Sequence, residues 1–230
     1  MSSNTSKGMG RRGSKLCMQL CVNNPELKKR LDEAIGLGKI KWLSPLMEEN
    51  FQEYELKNLP VERLGLNDMA WSFWPPRQPQ WDAIGLAGGK LILVEAKSHC
   101  DEVDDPCRSK EGKGRDRIKA AIEKWLGNDE KLMKKYYQIA NRLVYLNEIK
   151  AIYDKEEQDP KRDVYCVFLY FVDDVTLDGS TREKASKEDW ENFLKEINNH
   201  IPECRGDHVK EIMFDVWKDP KPKRAKGKQR

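Results

Sequence analysis

The sequence has no long apolar run and none of the patterns that mark secreted proteins. No stretch of the 230 residues approaches the about eighteen continuous apolar residues that a membrane-spanning helix needs. The N-terminus is rich in Ser, Gly, Lys and Arg, and it has no apolar region of the kind found in signal peptides. We therefore expect a cytoplasmic protein that does not enter a membrane.

The cysteine pattern gives little support for a disulfide framework or for a zinc site. The six cysteines are scattered through a chain with no secretory signal, so thiols are expected. Cys17 and Cys21 are separated by three residues and Cys100 and Cys107 by six, and neither spacing recurs as the matching second pair of a zinc knuckle. We therefore expect no structural zinc.

The small net charge of +3 hides an uneven distribution. Residues 218–230 contribute +6 and residues 1–15 contribute +4, which leaves about −7 for the rest of the chain. The length fits one domain with tails, so we assign residues 1–24 to a basic flexible segment, residues 25–217 to a single domain and residues 218–230 to a basic disordered tail. The tail suits nonspecific contact with phosphates, and an equally consistent alternative is that it only solubilises the chain.

Two acids and a lysine stand where a packed sheet would normally carry apolar side chains. Side chains alternate faces along a strand, so in the run LILVEAK at positions 91–97 Glu95 and Lys97 share a face with the leucines. The run WDAIGL at positions 81–86 is a similar segment, and a Gly-Gly pair between the two runs supplies a tight turn. The two runs therefore predict a β-hairpin in which Asp82 lies across from Glu95.

This arrangement predicts a metal-dependent hydrolytic centre for phosphodiesters. Two carboxylates held close together repel each other, and a hard divalent ion between them removes that penalty. Mg²⁺, or Mn²⁺ as a substitute, accepts carboxylates, waters and phosphate oxygens, so Asp82, Glu95 and the backbone carbonyl of Ala96 are candidate ligands. Lys97 adds a positive charge that orients the attacking water or stabilises charge on the phosphate. The alternative is that charged residues end the strand simply because the chain leaves the core there.

A helix upstream of the hairpin offers a further acid. Ser44-Pro45 combines a capping hydroxyl with proline at the first helical position, which predicts a helix over residues 44–58. Glu49 and Glu53 are four residues apart and so share a face of that helix, from which either could point to the hairpin. We prefer Glu53, and the alternative is that both acids are solvated.

These features, in this order, resemble the PD-(D/E)XK, or restriction-endonuclease-like, nuclease superfamily. The chain is most similar to uncharacterised bacterial members with a Trp-Asp-Ala segment, a Val-Glu-Ala-Lys strand and a later YYQxANR helix, here residues 136–142. The resemblance spans roughly residues 44–174, and Trp81 stands where the superfamily name has proline. It implies that the metal ligands are Asp82 and Glu95, the catalytic lysine is Lys97, the helix acid is Glu53, and the helix after the catalytic strands carries Gln138.

The remaining pattern predicts an α/β protein. Residues 163–172 are β-branched and aromatic with little alternation, as in a strand that is covered on both faces. The order of the elements gives a three-layer α/β/α arrangement with a mixed central sheet, and the resemblance makes this a restriction-endonuclease-like core. The predicted elements besides the hairpin are helices at 25–37, 44–58, 115–126, 129–150 and 187–199 and strands at 163–172 and 209–217.

Three further segments carry candidate contacts for a substrate. Residues 71–81 are aromatic and proline-rich, and we expect the tryptophans in the core, although Trp74 or Arg77 could hold a nucleotide. The loop at 98–114 is long enough to be a flap, or it is a plain surface excursion. In the helix at 129–150, Arg142 follows four residues after Gln138, so the two could contact a substrate backbone or only solvent.

We therefore expect a magnesium-dependent deoxyribonuclease in which a metal-activated water attacks a phosphodiester in line. An alternative from another class is a catalytically silent nucleic-acid-binding or protein-interaction module on the same fold. A third is a structural α/β domain with an accidental motif. The sequence leaves open whether DNA or RNA is the substrate, whether attack is internal or from an end, and what the oligomeric state is.

Overall fold

The structure is a computed structural model that describes residues 8–59, 64, 66, 71–155, 162–174, 185–201 and 206–217. In this part of the chain, short 3-10 turns join six α-helices and five β-strands. These are α1 Gly13–Asn23, α2 Pro25–Ile35, β1 Lys41–Ser44, β2 Ala83–Ala87, β3 Lys90–Lys97, α3 Lys113–Leu126, α4 Glu130–Lys134, α5 Tyr137–Tyr153, β4 Asp163–Val172, α6 Lys187–Asn198 and β5 Val209–Asp215.

Strands β2 and β3 form the predicted hairpin. Ala83 pairs with Val94 in an antiparallel ladder that closes at the turn. Both turn residues, Gly88 and Gly89, have positive φ, at 55° and 87°. Glycine adopts these angles without a steric penalty, and two such residues are what a two-residue hairpin turn requires. The local sequence therefore accounts for the position of the turn and for the register of the two strands.

The five strands form one open mixed sheet in the order β1-β2-β3-β4-β5. Strand β2 runs antiparallel to both of its neighbours, β1 and β3. Strands β3, β4 and β5 run parallel to one another. Parallel neighbours need a crossover, and α3, α4 and α5 provide it between β3 and β4. The predicted class, an α/β protein with a mixed sheet, is confirmed.

The two faces of the sheet support two separate apolar clusters. Leu91 and Leu93 pack with residues of α3 to α6 on one face. Ile92 and Val94 pack with residues of α1 and α2 on the other. This division follows the period of two along β3 that the sequence predicts. Helices therefore cover both faces of the sheet.

The helix predicted over residues 44–58 is wrong. Ser44 is the last residue of β1 and pairs with Ile84, so it does not cap a helix. Asn50 and Phe51 both adopt φ of 54°, in the left-handed region, and Tyr54 pairs with Trp81 as an isolated antiparallel bridge. The capping signal is real as a local preference, but pairing with the hairpin and its preceding segment decides the conformation.

The helix predicted over residues 129–150 is divided in two. It is interrupted because Asp105, in the loop after β3, forms a bridge with Tyr136 and donates its N–H to the carbonyl of Lys135 at 3.0 Å. Tyr136 is fully buried, and its hydroxyl donates to Glu196 on α6 at 2.7 Å. The loop thus satisfies its own backbone polar groups at the expense of the helix.

The predicted flexible segment at residues 1–24 is wrong for the part that forms α1. Leu16 and Cys17 are completely buried against the sheet. The basic tail and residues 1–7 lie outside the described residues. In the described part of the chain the cysteines are thiols, as expected, and no helix there combines the length and the apolar character needed to cross a membrane.

Candidate functional site

The two predicted acids lie side by side at one end of the hairpin. Asp82 directly precedes β2, and because Ala83 pairs with Val94, the next position on each strand brings Asp82 beside Glu95. The Oδ2 atom of Asp82 accepts the backbone N–H of Ala96 at 2.7 Å. The N–H and C=O of a strand residue point to the same neighbouring strand. The Ala96 carbonyl is therefore directed to the side on which Asp82 lies.

Both oxygens of Glu95 are bound by cations. Oε1 accepts from Lys97 Nζ at 2.5 Å, and Oε2 accepts from Arg142 Nε at 2.6 Å and from Arg142 Nη2. Only 3 % of Glu95 is exposed. Burial by itself would raise the pKa of Glu95, but the Arg142 guanidinium and the Lys97 ammonium together hold that pKa below its ordinary value. Glu95 is therefore ionised at neutral pH.

Lys97 remains a cation although it is almost buried. Its Nζ donates to Glu95 and to the Oε1 atom of Gln138. Burial opposes the charged form, but the carboxyls of Glu95 and Asp82 outweigh burial and raise the pKa of Lys97 above its ordinary value. A lysine in this state stabilises negative charge and does not accept a proton. The pKa therefore favours an electrostatic role over a general-base role.

The pKa of the Asp82 carboxyl is strongly raised. Burial is the main cause that raises its pKa from 3.8 to about 8, and the negative charges of Glu95 and then Glu53 add to the shift. The charge of Lys97 and the Ala96 N–H oppose it. Asp82 is thus mostly protonated at neutral pH when no metal ion is bound. Crowding of this kind is what a divalent ion relieves, since the ion replaces the proton.

Glu53 lies near Asp82, but it is not on a helix. It precedes Tyr54 in the extended segment that pairs with Trp81, and its carboxylate lies 3.8 Å from Lys15 Nζ. Its charge contributes to the raised pKa of Asp82. Glu49 is exposed and accepts the hydroxyl of Tyr54 at 2.6 Å. Of the two acids considered from the sequence, Glu53 is therefore the one beside the hairpin.

Gln138 connects Lys97 to the loop that follows β3. It stands in the first turn of α5, where its Oε1 accepts from Lys97 and its Nε2 donates to Asp105 Oδ2 at 2.9 Å. The other oxygen of Asp105 lies 3.0 Å from Arg108 Nη2. The amide of Gln138 is thereby a second partner of the Lys97 ammonium besides Glu95. The loop position and the lysine position are linked through this one side chain.

A cavity of about 850 Å³ opens at Lys97. One wall is the segment at residues 74–77, a second is the loop at residues 101–109, and a third is the start of α5. The loop at 98–114 is therefore not a plain excursion, because it lines the cavity beside the candidate site. The cationic, aromatic and amide side chains among its lining residues are Trp74, Arg77, Lys97, Arg108, Tyr137 and Gln138.

Arg142 also belongs to this cluster, although the sequence does not predict its contact with Glu95. Only 5 % of it is exposed, its guanidinium lies 4.6 Å from the centre of the Trp81 ring, and its Nη2 donates to the Gln80 carbonyl at 2.7 Å. The available signal is the spacing of four residues from Gln138, which puts both on one helix face. Spacing alone does not tell which face of α5 meets the sheet.

The donor set has the chemistry of a site for a hard divalent ion, although it is incomplete as it stands. Carboxylates and a carbonyl from Asp82, Glu95 and Ala96, with the charge of Glu53 nearby, are oxygen donors that Mg²⁺ prefers. Among the described residues, however, no group of three or more His, Cys, Asp or Glu side chains is arranged to hold one metal ion. A metal ion held by Asp82 and Glu95 would therefore have to take its other ligands from the backbone, water and a phosphate.

Comparisons with known proteins do not assign the chain to a family. No protein-family model matches it, and no curated protein and no solved structure is significantly similar to it. The likeness to the PD-(D/E)XK nucleases therefore rests on the residues described above.

Proposed function

We propose that the chain is a divalent-metal-dependent nuclease that hydrolyses phosphodiester bonds of DNA on a restriction-endonuclease-like core. One observation carries this proposal. Asp82 and Glu95 lie side by side across a hairpin, and Lys97, which donates to Glu95 from the same face of β3, lines a cavity that the two acids themselves do not line. Two crowded acids and a cation next to an open cavity suit the hydrolysis of an anionic ester better than they suit a packed sheet.

The proposed division of roles follows from these positions. Asp82, Glu95 and the Ala96 carbonyl would hold Mg²⁺ or Mn²⁺. The bound ion would lower the pKa of a water molecule, which favours its attack on a phosphate, and would stabilise negative charge on the phosphate oxygens. Lys97 stabilises the charge that develops on the phosphate or orients the water, because it stays protonated. Gln138 keeps the Lys97 ammonium in place, and Glu53 adds a further negative charge.

The cavity supports binding of a nucleic-acid strand. Arg77 and Arg108 line it and can reach phosphate oxygens, and Tyr137 contributes aromatic surface, whereas Trp74 is only 3 % exposed and belongs to the core. Acidic side chains of the loop line it as well, including Asp104. A cavity that mixes both signs of charge would bind a bare polyanion weakly. Neutralisation by a bound divalent ion would therefore assist entry of the substrate.

The test is direct. The full chain is incubated with plasmid, single-stranded and branched DNA, and with RNA, in Mg²⁺, Mn²⁺ or a chelator. We expect metal-dependent cleavage that Asp82→Ala and Lys97→Met each lower about a thousandfold and that Lys29→Ala, an exposed change on α2, leaves intact. Cleavage at the wild-type rate in either site variant would assign the activity to a contaminant. Cleavage of RNA in preference to DNA would correct the substrate.

A second candidate function is a catalytically silent nucleic-acid-binding or protein-interaction module on the same fold. The observation that favours it is that cations of the chain itself bind both oxygens of Glu95. In that case DNA binding is expected to weaken steeply with salt, to weaken further when residues 218–230 are deleted, and to be the same with a chelator as with Mg²⁺. Metal-dependent cleavage would reject this candidate.

A further inference from the structure

We propose that Arg142 is a tethered cation that takes the place of the divalent ion on Glu95 and competes with the ion for that carboxylate. This inference rests on the metal site of the proposed function, and it adds a residue that regulates how strongly the site binds metal. Arg142 acts here as a positioning residue, because it holds Glu95 and not the substrate.

The contacts of Glu95 are the first support. Arg142 directs two nitrogens, Nε and Nη2, at one oxygen of Glu95, and the Nε contact spans 2.6 Å. The same guanidinium contacts Gln80 and Trp81, the two residues that precede Asp82. Arg142 therefore links one oxygen of Glu95 to the segment that carries the other acid. A metal ion bound by both oxygens of Glu95 would need the oxygen that Arg142 holds.

The balance of charge is the second support. One negative and two positive charges meet at Glu95, those of Glu95, Lys97 and Arg142. Lys97 lines the cavity where a phosphate would lie, whereas Arg142 lies behind Glu95 on Trp81. Like charges a few ångströms apart in a poorly solvated site repel strongly. Of the two cations, Arg142 is therefore the one whose removal would help a metal ion without removing a contact to the substrate.

The other anchors of Arg142 are the third support. Besides Glu95, the guanidinium donates to the Gln80 carbonyl at 2.7 Å and to Asn141 Oδ1 at 3.1 Å, and it stacks on Trp81. These partners remain if Glu95 turns to a metal ion, so Nη1 and Nη2 keep their acceptors and the Nε–H is the donor that loses its partner. Exchange of Arg142 for a metal ion then requires a rotation of the Glu95 carboxylate, while the Arg142 side chain stays in place.

Arg30 offers a matched comparison elsewhere in the molecule. It donates to the carbonyls of Asp215 at 2.6 Å and Val216 at 3.2 Å and lies 5.2 Å from the centre of the Phe214 ring. Carbonyl oxygens and an aromatic ring thus hold a guanidinium in this protein on the other face of the sheet. Arg30→Gln therefore removes a similar side chain without touching the candidate site.

The experiment measures Mn²⁺ binding to the full chain by electron paramagnetic resonance, without DNA. We expect Arg142→Gln to bind Mn²⁺ about tenfold more tightly than the wild type, a factor within the usual range for coupling between two sites. Arg142→Lys keeps the charge and should stay close to the wild type, as should Arg30→Gln. Circular dichroism checks that each variant is folded. A folded Arg142→Gln that binds Mn²⁺ equally or more weakly overturns the proposal.

A second measurement needs no variant to bind metal. In the wild type, the arginine Nε–H resonance that disappears in Arg142→Lys is followed by ¹⁵N NMR during titration with Mg²⁺. We expect it to shift to a more weakly hydrogen-bonded position as Glu95 is released. A resonance unchanged at saturating Mg²⁺, or no metal binding by any variant, overturns the proposal. Absence of cleavage together with the expected Mn²⁺ and NMR results would overturn only the nuclease function.

Discussion

The two faces of β3 differ in what they do at the same end of the strand. On the face toward α1 and α2, Ile92, Val94 and Ala96 are apolar and buried to the last residue. On the face toward α5, the apolar side chains stop at Leu93 and are followed by Glu95 and Lys97. One strand therefore separates an apolar surface from a charged one. Glu95 and Lys97 are themselves almost buried, and their contacts with each other and with Arg142 shift their pKa values.

The largest expected effect is on chemistry, at Lys97. Lys97→Met keeps most of the side-chain volume and removes the charge next to the cavity, so we expect the rate constant kcat to fall about a thousandfold, as when one preorganised donor is lost. On the other face, Val94→Ala should lower stability by about 2 kcal/mol and leave kcat unchanged. Single-turnover cleavage and urea unfolding of both variants measure the contrast. Equal losses of kcat would erase the distinction between the faces.

A charge on the apolar face should destabilise the fold more than any other substitution considered. Val94 is completely buried, and Val94→Asp places a carboxyl there among apolar side chains. We expect a loss of about 4 kcal/mol in the free energy of unfolding, because removal from water is not offset by partners such as those of Glu95. Urea unfolding measures this loss. A loss no larger than that of Val94→Ala would show that this face tolerates charge.

The protonation of Asp82 predicts how stability depends on pH without metal. The pKa of Asp82 is raised in the folded state from 3.8 to about 8. The contribution of the protonated carboxyl to the free energy of unfolding is therefore fully present below pH 3.8 and is lost as pH rises through about 8. Asp82→Asn cannot ionise, so its melting temperature should exceed that of the wild type more at pH 9 than at pH 4. Scanning calorimetry at both pH values decides. Saturating Mg²⁺ should narrow the gap at pH 9.

The smallest expected effect concerns Arg108, at the rim of the cavity. Its side chain is 84 % exposed, and its ion pair with Asp105 spans 3.0 Å. Such a pair contributes roughly 0–1 kcal/mol, so Arg108→Ala should leave the melting temperature nearly unchanged. If Arg108 contacts a phosphate, the slope of log K against log salt for DNA binding should fall by about one. An unchanged slope would remove Arg108 from the binding surface.

The hairpin and its acids could be predicted from the sequence because their determinants are local. The alternation along β3, the two glycines at the turn and the register they impose bring Asp82 beside Glu95 with no help from the rest of the chain. The uninterrupted apolar run of β4 is similar, since a strand covered on both faces needs apolar side chains at every position. In these places local preference and tertiary packing agree.

Elsewhere the two disagree, and tertiary contacts decide. Ser44-Pro45 has the local signal of a helix start, yet Ser44 completes β1 beside Ile84. Tyr136 has helical neighbours, yet it pairs with Asp105 of a distant loop. The role of Arg142 could not be predicted for the same reason. Its partners, Glu95 and Gln80, lie 47 and 62 positions away in the chain.

The distance in sequence between Glu95 and Arg142 has a consequence for how the chain folds. The hairpin consists of contacts between near neighbours and can form early, but before α5 docks Lys97 is the cation at Glu95, and Oε2 gains its partner only when α5 brings Arg142. Water is expected to stay at this end of β3 until α5 docks, because burial of a carboxylate oxygen without a hydrogen-bond partner is costly. The last water molecules to leave the sheet during folding are therefore expected at the point where hydrolysis is proposed to occur.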